Sequence, residues 1–467
     1  MLKSLKVKSK LILVAITLLS TITFIRTIND FPLRNWDEAW YAEITKNMAS
    51  GHYRFLMPFW NGRYYFDHAP LYFWLSTGLV KIFGLGEWQV RLVSAISAIF
   101  ASLLVFLIAK KLTNSIAGFA SFLIFLTLGQ VVMRFSHGNL DALLIMLFLA
   151  SFYSYLKSEN NKRYSALCGI FLGLGTLVKS WGIGTFPLFL IFTYSFFKNR
   201  SLPKNLHIIL LFGFLSCAWW YIWGVITFGK DFASWYILNP SQGRLDNPLK
   251  NISIYYFKAL IRDIGYWLSV PIILLFLKAK SKSIPREKII LVFLIASIVY
   301  VSLLNLLSDK SDWYNLPIYP LIAIVIGYFS SVLFKINKPL MVSCIAFLTL
   351  IGIYNVNRIE NIYPDRSKVG AELGKIAEKT IPKDAEVILD DQDFTAFLYY
   401  SNQNAIYTLE DNKRSDFSEW WKINHTTLGN FIKSHPNTWI VTRSPENLAI
   451  KNYQILQKYN NYYFLKI

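Results

Sequence analysis

The sequence predicts a mainly α-helical protein that crosses the membrane about 11–13 times and carries a small C-terminal α/β domain outside it. Three observations predict this class. Of the 467 residues, 54% are hydrophobic; apolar runs of nearly span length recur through the first three quarters; and basic residues concentrate in alternate connections. This composition excludes intrinsic disorder and a collagen-like fibre. A disulfide scaffold is excluded because the three cysteines all lie in apolar runs.

Eleven apolar runs build the predicted membrane domain. They cover residues 11–28, 90–109, 116–133, 140–156, 164–178, 181–197, 206–227, 264–277, 289–307, 317–334 and 339–356. The first run is longer than the hydrophobic region of a typical signal peptide, and no small-residue cleavage site follows it. We therefore expect it to be retained as a membrane-spanning helix.

The distribution of charge predicts how these runs are oriented. With the N-terminus in the cytoplasm, the cytoplasmic connections are 1–10, 110–115, 157–163, 198–205, 278–288 and 335–338. They contain 19 Lys and Arg residues and two acids, and so carry +17 of the net charge of +20. This is the positive-inside pattern of membrane proteins. A nucleic-acid-binding protein would instead collect its charge on a soluble face, so no nucleic-acid partner is expected.

The same topology predicts two domains. Residues 1–356 form the transmembrane domain, which includes a first outer loop at 29–88, and residues 357–467 form a small extracytoplasmic domain. The tail has 14 basic and 14 acidic residues, a balance that suits a folded domain. Its predicted elements are a helix at Ser367–Thr380, buried strands at 385–391 and Thr438–Thr442, and an edge strand at 462–467.

The first outer loop carries a pair of acids, Asp37 and Glu38, among aromatic residues. One interpretation is a solvated loop in which Asp37 caps the following helix. The other is a carboxylate pair that faces a polar cavity or a ligand, because burying such a pair beside a membrane is costly. The neighbouring Trp36, Trp40 and Tyr41 favour the second interpretation.

Two further charged residues lie at the ends of apolar runs. Asp141 opens the fourth run, either as an interfacial helix cap or as a second acid of a site shared with Asp37. Lys179 follows the segment Gly173-Leu174-Gly175-Thr176-Leu177-Val178 between two short runs. It binds an anionic head group or extends to the membrane interface, and both interpretations stay open.

Arg244 and Lys310 are cations on the predicted outer face, which has little surplus positive charge. Topology therefore does not explain them. A phosphate ligand is one natural partner, since a guanidinium group presents a planar fork of donors. Surface pairing with Asp246 or Asp309 is the alternative.

Several of these motifs resemble, in order, those of membrane glycosyltransferases of the GT-C fold. The nearest branch is the bacterial protein-mannosyltransferase-like group that includes the lipid A aminoarabinose transferase. The matching first-loop residues are Trp36-Asp37-Glu38, Tyr41-Ala42-Glu43, Met48, Asn61-Gly62, Tyr65-Phe66-Asp67 and Pro70-Leu71. Asp141, the segment ending at Lys179, and Trp313-Tyr314-Asn315-Leu316-Pro317 extend the resemblance, which covers about residues 30–325.

The resemblance implies an enzyme of the bacterial inner membrane that takes a sugar from a polyprenyl-phosphate carrier. The acceptor is a lipid, a glycan or a protein on the outer side. Asp37 matches the catalytic carboxylate and Asp141 the second functional acid, while Glu38 completes the predicted catalytic set. The predicted substrate-binding residues are His68, Asp67, Lys179, Arg244, Tyr314, Tyr41 and Lys310.

The chain also departs from the family pattern. His68-Ala69-Pro70 stands where the family has a Lys-Pro pair, so a protonated His68 is needed to replace that phosphate contact. The family has slightly more spans than eleven, which places additional short helices at 71–83 and 228–263. Related folds sometimes use a divalent metal, but no ligand cluster in this sequence requires one.

Two other classes of protein compete with an enzyme. A lipid or sugar transporter or flippase predicts internal repeats and charged residues deep within several spans. The acids here cluster in loops instead, and no repeat is visible. A receptor or assembly protein whose tail binds a partner is the other alternative, which removal of residues 357–467 discriminates from an enzyme.

Overall fold

The computed structural model describes residues 2–26, 28–29, 31–52, 55–238, 250–278, 288–362, 367–390, 394–410, 420–448, 450 and 452–467. The chain divides into two compact units. The first comprises Met1–Ile28, Phe66–Leu75 and Arg91–Tyr363, and the second comprises Asn29–Tyr65, Ser76–Val90 and Pro364–Ile467. The second unit thus joins most of the first loop to the tail. Independent domains that meet at residue 357 stay a prediction.

Helices dominate the described chain. They are α1 (Leu2–Ile25), α2 (Asp37–Ser50), α3 (Leu71–Phe83), α4 (Glu87–Leu112), α5 (Ser115–Leu126), α6 (Gly129–Phe135), α7 (Leu140–Ser158), α8 (Arg163–Thr176), α9 (Trp181–Gly184), α10 (Phe186–Asn199), α11 (Leu206–Phe232), α12 (Tyr255–Ile264), α13 (Ser269–Lys278), α14 (Lys288–Leu304), α15 (Tyr319–Ile336), α16 (Lys338–Ile362), α17 (Ser367–Thr380), α18 (Phe394–Ser401) and α19 (His425–Ser434). A π-helical turn at Ala233–Leu238 continues α11, and a 3₁₀ turn at Asp312–Ile318 precedes α15.

This architecture confirms a mainly α-helical, multi-span membrane protein. Among the described residues, six helices are long and apolar enough to cross a membrane. A seventh span arises if α5 and α6, which meet at an angle of 67°, are one broken span. Shorter apolar helices include Leu71–Phe83, where the sequence comparison with the family placed an additional helix. The total of about 11–13 spans stays a prediction.

The break between α5 and α6 has a local cause. The predicted run 116–133 is interrupted at Thr127, whose side-chain hydroxyl bonds back to the carbonyl of Leu123 at 2.9 Å. The carbonyl of Thr127, which the helix no longer uses, accepts a hydrogen bond from the Tyr266 hydroxyl at 2.7 Å. A neighbouring helix therefore satisfies the backbone that the break exposes.

Close helix packing surrounds α7, most of which is buried. Its neighbour α8 approaches α11 so closely that a Cβ atom on Gly173 would lie 2.2 Å from the carbonyl oxygen of Gly213. Small residues allow this approach, as is common between membrane helices. The segment after α8, which contains Lys179, is thereby held next to α11.

The second unit contains a six-stranded sheet in the order β5-β4-β3-β6-β8-β7. Its strands are β3 (Glu386–Leu389), β4 (Ile406–Leu409), β5 (Lys422–Ile423), β6 (Thr438–Thr442), β7 (Gln454–Tyr459) and β8 (Tyr462–Lys466), and a small hairpin of β1 (Phe59–Trp60) and β2 (Arg63–Tyr64) precedes them. Strands β3 to β6 pair in parallel, while β8 is antiparallel to both β6 and β7.

The predicted α/β tail is confirmed in its main elements, including the helix at Ser367–Thr380. The prediction of an edge strand at 462–467 was wrong. Strand β8 lies between β6 and β7, and the edge is formed by β7. In β7 the apolar residues Ile455 and Leu456 are adjacent and the side chains are largely exposed, so it lacked the apolar alternation that identifies a strand.

Candidate functional site

Asp141 lies in the first turn of α7, but a neighbour caps that helix. The Asn139 side-chain oxygen accepts a hydrogen bond from the Asp141 backbone N–H at 3.0 Å. Asn139 is itself fixed by Ser94, whose hydroxyl accepts from the Asn139 N–H and donates to its carbonyl. The interpretation of Asp141 as an interfacial cap is therefore wrong, and its carboxylate is available for other partners.

Two cations converge on the Asp141 carboxylate. The Lys179 ammonium donates to Oδ1 at 2.7 Å, and the Arg134 guanidinium donates to Oδ2 through Nη2 at 2.8 Å and Nε at 3.3 Å. Asp141 is 5% exposed, and the side chains of Arg134 and Lys179 are 14% and 16% exposed. We call these three residues the charged cluster. The cluster carries a net charge of +1 and is largely buried. A buried surplus of positive charge favours an anionic partner.

Sequence reasoning missed Arg134. It lies at the end of an apolar segment, Val131-Val132-Met133-Arg134-Phe135, and a charged residue in such a segment is itself a signal of function. Its guanidinium carbon lies 4.5 Å from the centre of the Trp313 indole, a cation–π contact. Arg134 thus connects Asp141 to the 3₁₀ turn that also carries Tyr314.

The Tyr314 turn is packed in place by other tyrosines. The Tyr300 hydroxyl donates to the Tyr314 carbonyl at 3.2 Å, and the Tyr314 ring stacks on Tyr256 at 6.3 Å between centroids. The structure therefore brings the predicted residues Asp141, Lys179 and Tyr314 into one neighbourhood within the first unit.

Lys310 has backbone partners in the structure. Its ammonium donates to the carbonyl of Leu307 at 2.7 Å and to that of Asn251 at 3.2 Å. These bonds hold the loop before the 3₁₀ turn against the backbone at Asn251. A contact of Lys310 with phosphate stays a prediction. Arg244 lies outside the described residues, so its predicted role stays a prediction as well.

The segment with Asp67 and His68 is held against the end of α8. The Tyr236 hydroxyl donates to the His68 carbonyl at 2.8 Å, and the Leu71 N–H donates to the Leu177 carbonyl at 2.9 Å. Leu177 is two residues from Lys179. These two bonds fix the backbone of the segment with Asp67 and His68 beside the chain that leads to Lys179.

An apolar groove opens between α8, α9 and α11. It has a volume of about 370 Å³. Its walls include Leu172, Thr176, Trp181, Leu210, Phe214 and Tyr221. Thr176 and Trp181, which line the groove, flank Lys179 in the sequence, so the apolar groove and the charged cluster share the segment between α8 and α9.

The other predicted acids lie in the second unit, at the start of α2. Asp37 is the first helical residue and is half-buried, and no side chain at Trp36 caps the helix. Glu38 is 3% exposed and accepts a hydrogen bond from the Arg34 N–H at 2.7 Å. Glu38 therefore stabilises the entry into α2, and Tyr41 is buried in the next turn. The catalytic role of Glu38 stays a prediction.

The residue before Asp37 has a strained backbone. Trp36 adopts φ 65° and ψ −124°, a conformation that costs a residue with a side chain about 1–3 kcal/mol. Its N–H donates to the Thr395 hydroxyl at 2.5 Å, and its indole ring, which is 45% exposed, packs edge-on against Phe394. Strain of this kind often marks a functional site, because it aims the neighbouring side chain.

The described residues contain no group of three or more His, Cys, Asp or Glu that could hold a metal ion. Both Asp141 oxygens already contact cations. Asp37 and Asp141 belong to different compact units. A single site that uses both acids stays a prediction.

Comparisons with known proteins point to one family. The family described as dolichyl-phosphate-mannose-protein mannosyltransferase matches residues 67–223. A relative in Pseudomonas savastanoi pv. phaseolicola, an undecaprenyl phosphate-alpha-4-amino-4-deoxy-L-arabinose arabinosyl transferase, is 30% identical over 171 residues, which are 35% of this chain and 32% of that protein. An uncharacterised Aquifex aeolicus protein is 26% identical over 63% of this chain and 58% of its own length. The chain thus spans about a third to three fifths of these two curated relatives.

Solved structures show the same fold. The crystal structure of ArnT from Cupriavidus metallidurans bound to undecaprenyl phosphate superposes with a TM-score of 0.78 at 14% identity over 98% of both chains. A second similar structure is that of the archaeal oligosaccharyltransferase AglB from Archaeoglobus fulgidus in complex with an inhibitory peptide and a dolichol-phosphate. Its TM-score is 0.59 at 12% identity, over 93% of this chain and 69% of its own. These similarities show the GT-C fold. The chain is similar in sequence to the aminoarabinose transferases over about a third of its length.

Proposed function

We propose that this protein transfers a sugar from a polyprenyl-phosphate donor to an envelope acceptor on the outer side of the membrane, with inversion at the anomeric carbon. The observation that carries the proposal is the charged cluster beside the apolar groove. A buried cluster with a net charge of +1 favours an anionic ligand, and a groove lined by aliphatic and aromatic side chains favours an isoprenoid chain. A polyprenyl phosphate combines both features in one molecule.

The proposed role of the charged cluster is to stabilise the leaving group. When the sugar departs, the lipid phosphate gains negative charge, which needs neutralisation more than a proton. Lys179 and Arg134 supply that charge from fixed positions, because Asp141 holds both ammonium and guanidinium groups. His68, Tyr314, Arg244 and Lys310 are the further candidate donors to the phosphate.

Asp37 is the proposed general base. It accepts the proton of the acceptor hydroxyl, or orients that oxygen, as the oxygen forms a bond to the anomeric carbon and the bond to the phosphate oxygen breaks. General-base catalysis contributes about 10²- to 10⁴-fold to the rate. The strained backbone at Trp36 and the hydrogen bond from the Arg34 N–H to Glu38 support this role, since together they fix the backbone around Asp37.

The proposed location is the bacterial inner membrane, with a cytoplasmic N-terminus and the active site and tail outside. The support is the charge distribution, because +17 of the net +20 lies in connections that this topology places in the cytoplasm. The outer side is also where envelope acceptors, whether lipid A, glycan or protein, are accessible.

The test uses cells with and without the protein. Mass spectrometry of envelope lipids, glycans and proteins should reveal one sugar that disappears with the gene and returns with the wild-type chain. A transporter or flippase, the alternative function, predicts that the purified protein in vesicles moves a lipid-linked sugar across the bilayer without forming a new glycoside. Translocation without transfer would contradict the proposal.

A further inference from the structure

The tail supplies contacts to the backbone immediately before Asp37. The segment 33–36 is bound by residues of α18, all within the second unit. The Trp36 N–H donates to the Thr395 hydroxyl at 2.5 Å, and the Asn35 side-chain oxygen accepts from the Ala396 N–H at 2.8 Å. These bonds connect positions about 360 residues apart in the sequence.

Two further contacts secure the same segment. The Tyr400 hydroxyl, near the end of α18, accepts from the Leu33 N–H at 2.9 Å and bonds to Glu87. Burial and the nearby Glu87 carboxylate raise the pKa of Tyr400 above its ordinary value, so this hydroxyl keeps its proton. At the other end of α18, Phe394 packs edge-on against the Trp36 ring at 5.5 Å.

The buried position of Thr395 makes its contact specific. Thr395 is 1% exposed, and its hydroxyl both accepts from Trp36 and donates to Asn35 at 3.3 Å. A strained conformation persists only where the surroundings determine it fully. Trp36 has such a conformation, and the tail provides the groups that bind its N–H and the side chain before it.

We infer that α18 is a positioning element for the active site, and that Thr395 orients Asp37 by holding Trp36 in its strained conformation. The inference rests on the proposed role of Asp37 as general base. Thr395 itself is a positioning residue and contacts no reacting atom. The tail is then part of the catalytic apparatus.

The test compares three variants of the full-length protein. Thr395→Val keeps the shape but removes the hydroxyl, Thr395→Ser keeps the hydroxyl, and Thr408→Val is the control. Thr408 is fully buried in the same tail, and its hydroxyl has no hydrogen-bond partner among the described residues. The control therefore measures the effect of the same chemical change where no contact is lost.

The transfer assay uses undecaprenyl-phosphate-linked aminoarabinose and hexoses as probe donors, with envelope extract as acceptor. Thr395→Val should lower kcat about 10- to 100-fold with an unchanged KM for the donor, since misplacement by 1 Å has effects of that size. Thr395→Ser should restore most of the rate, and Thr408→Val should retain it. In the Asp37→Asn background, Thr395→Val should cause little further loss.

A structural measurement keeps the test decisive if Thr395→Val proves poorly active for other reasons. Hydrogen–deuterium exchange of residues 33–43 should accelerate in Thr395→Val and in Asn35→Ala, but not in Thr408→Val. Wild-type transfer by Thr395→Val, unchanged exchange, or a loss that adds fully to that of Asp37→Asn would overturn the inference. If Asp37→Asn itself keeps the wild-type rate, the assignment of the base fails instead.

Discussion

Asp141 illustrates how a residue's role follows from its partners. An isolated carboxylate at this depth would be costly to bury, but Lys179 and Arg134 together more than neutralise it. Asp141 holds both cations in place, and the surplus positive charge is what the proposed phosphate ligand would neutralise. In this account the carboxylate is a structural requirement for the two cations proposed to bind the phosphate.

Loss of one cation should weaken phosphate binding while the protein still folds. Lys179→Met leaves the neutral pair of Arg134 and Asp141, so we expect undecaprenyl phosphate to bind at least about tenfold more weakly, as the loss of one charge-assisted contact predicts. The control is Lys198→Met, which removes an ammonium from a half-exposed pair with Glu159. Fluorescence titration with undecaprenyl phosphate measures both, and equal affinities of the two variants would refute the role of Lys179.

Loss of the carboxylate should instead destabilise the protein. Asp141→Asn leaves two buried cations without their counter-charge, and breaking a buried pair in this way typically costs about 3–5 kcal/mol. Thermal unfolding in detergent should show the decrease. The double variant Asp141→Asn with Lys179→Met should recover part of it, and a double variant as unstable as the single one would contradict the electrostatic explanation.

Glu43 predicts a pH dependence of stability in the second unit. Burial raises the pKa of its carboxyl above the ordinary value of 4.5, although Lys46 lies 2.5 Å away and acts in the opposite direction. The folded state then holds the proton more tightly than the unfolded state, so stability falls as the pH rises from about 4.5 through the raised pKa.

Glu43→Gln should remove this dependence. Relative to the variant, the wild type should lose stability between pH 4.5 and the raised pKa, as measured by unfolding midpoints across that range. The matched control is the same substitution at Glu378, which is exposed on α17. A wild-type profile parallel to that of Glu43→Gln would show that burial of Glu43 has no such effect.

At the scale of elements, the start of α7 decides where Asp141 points. Asn139 caps the helix and is anchored to Ser94 on α4, so two helices fix the carboxylate. Asn139→Ala should cost about 0.5–2 kcal/mol of stability and also weaken undecaprenyl phosphate binding. Asn114 caps α5 in the same way, through two N–H groups. Asn114→Ala should therefore lower stability alone, and equal effects of the two variants on binding would contradict this account.

The elements also show what the sequence could and could not predict. Helices with sustained apolar character, such as α4 and α7, and the amphipathic α17 follow from local pattern. The break at Thr127 leaves a carbonyl that the distant Tyr266 satisfies, and β7 lacks apolar alternation, so neither follows from the local apolar pattern. Arg134 carries a local signal as a charge in an apolar segment, but its role became evident only from its contacts with Asp141 and Trp313. The motif-based residues Asp141, Lys179 and Tyr314 were found together because the family resemblance carries long-range information.

At the scale of the whole molecule, the charge distribution should determine orientation. Lys111→Cys, in a predicted cytoplasmic connection, and Thr427→Cys, in the tail, are compared in a chain whose native cysteines are replaced by serine. A membrane-impermeant maleimide added to intact cells should label only the tail position. Labelling of position 111 alone would contradict the proposed orientation and show that the opposite one is correct.

The central claim is that Asp37 is the general base of a sugar transfer from a polyprenyl phosphate. It is tested most directly by the transfer rate of Asp37→Asn in reconstituted membranes, with undecaprenyl-phosphate-linked sugars as donors. The control is Asp384→Asn, an exposed acid of the same unit. We expect Asp37→Asn to lose about 10²- to 10⁴-fold in rate while it still binds undecaprenyl phosphate, and Asp384→Asn to match the wild type. A near-normal rate for Asp37→Asn would contradict the account.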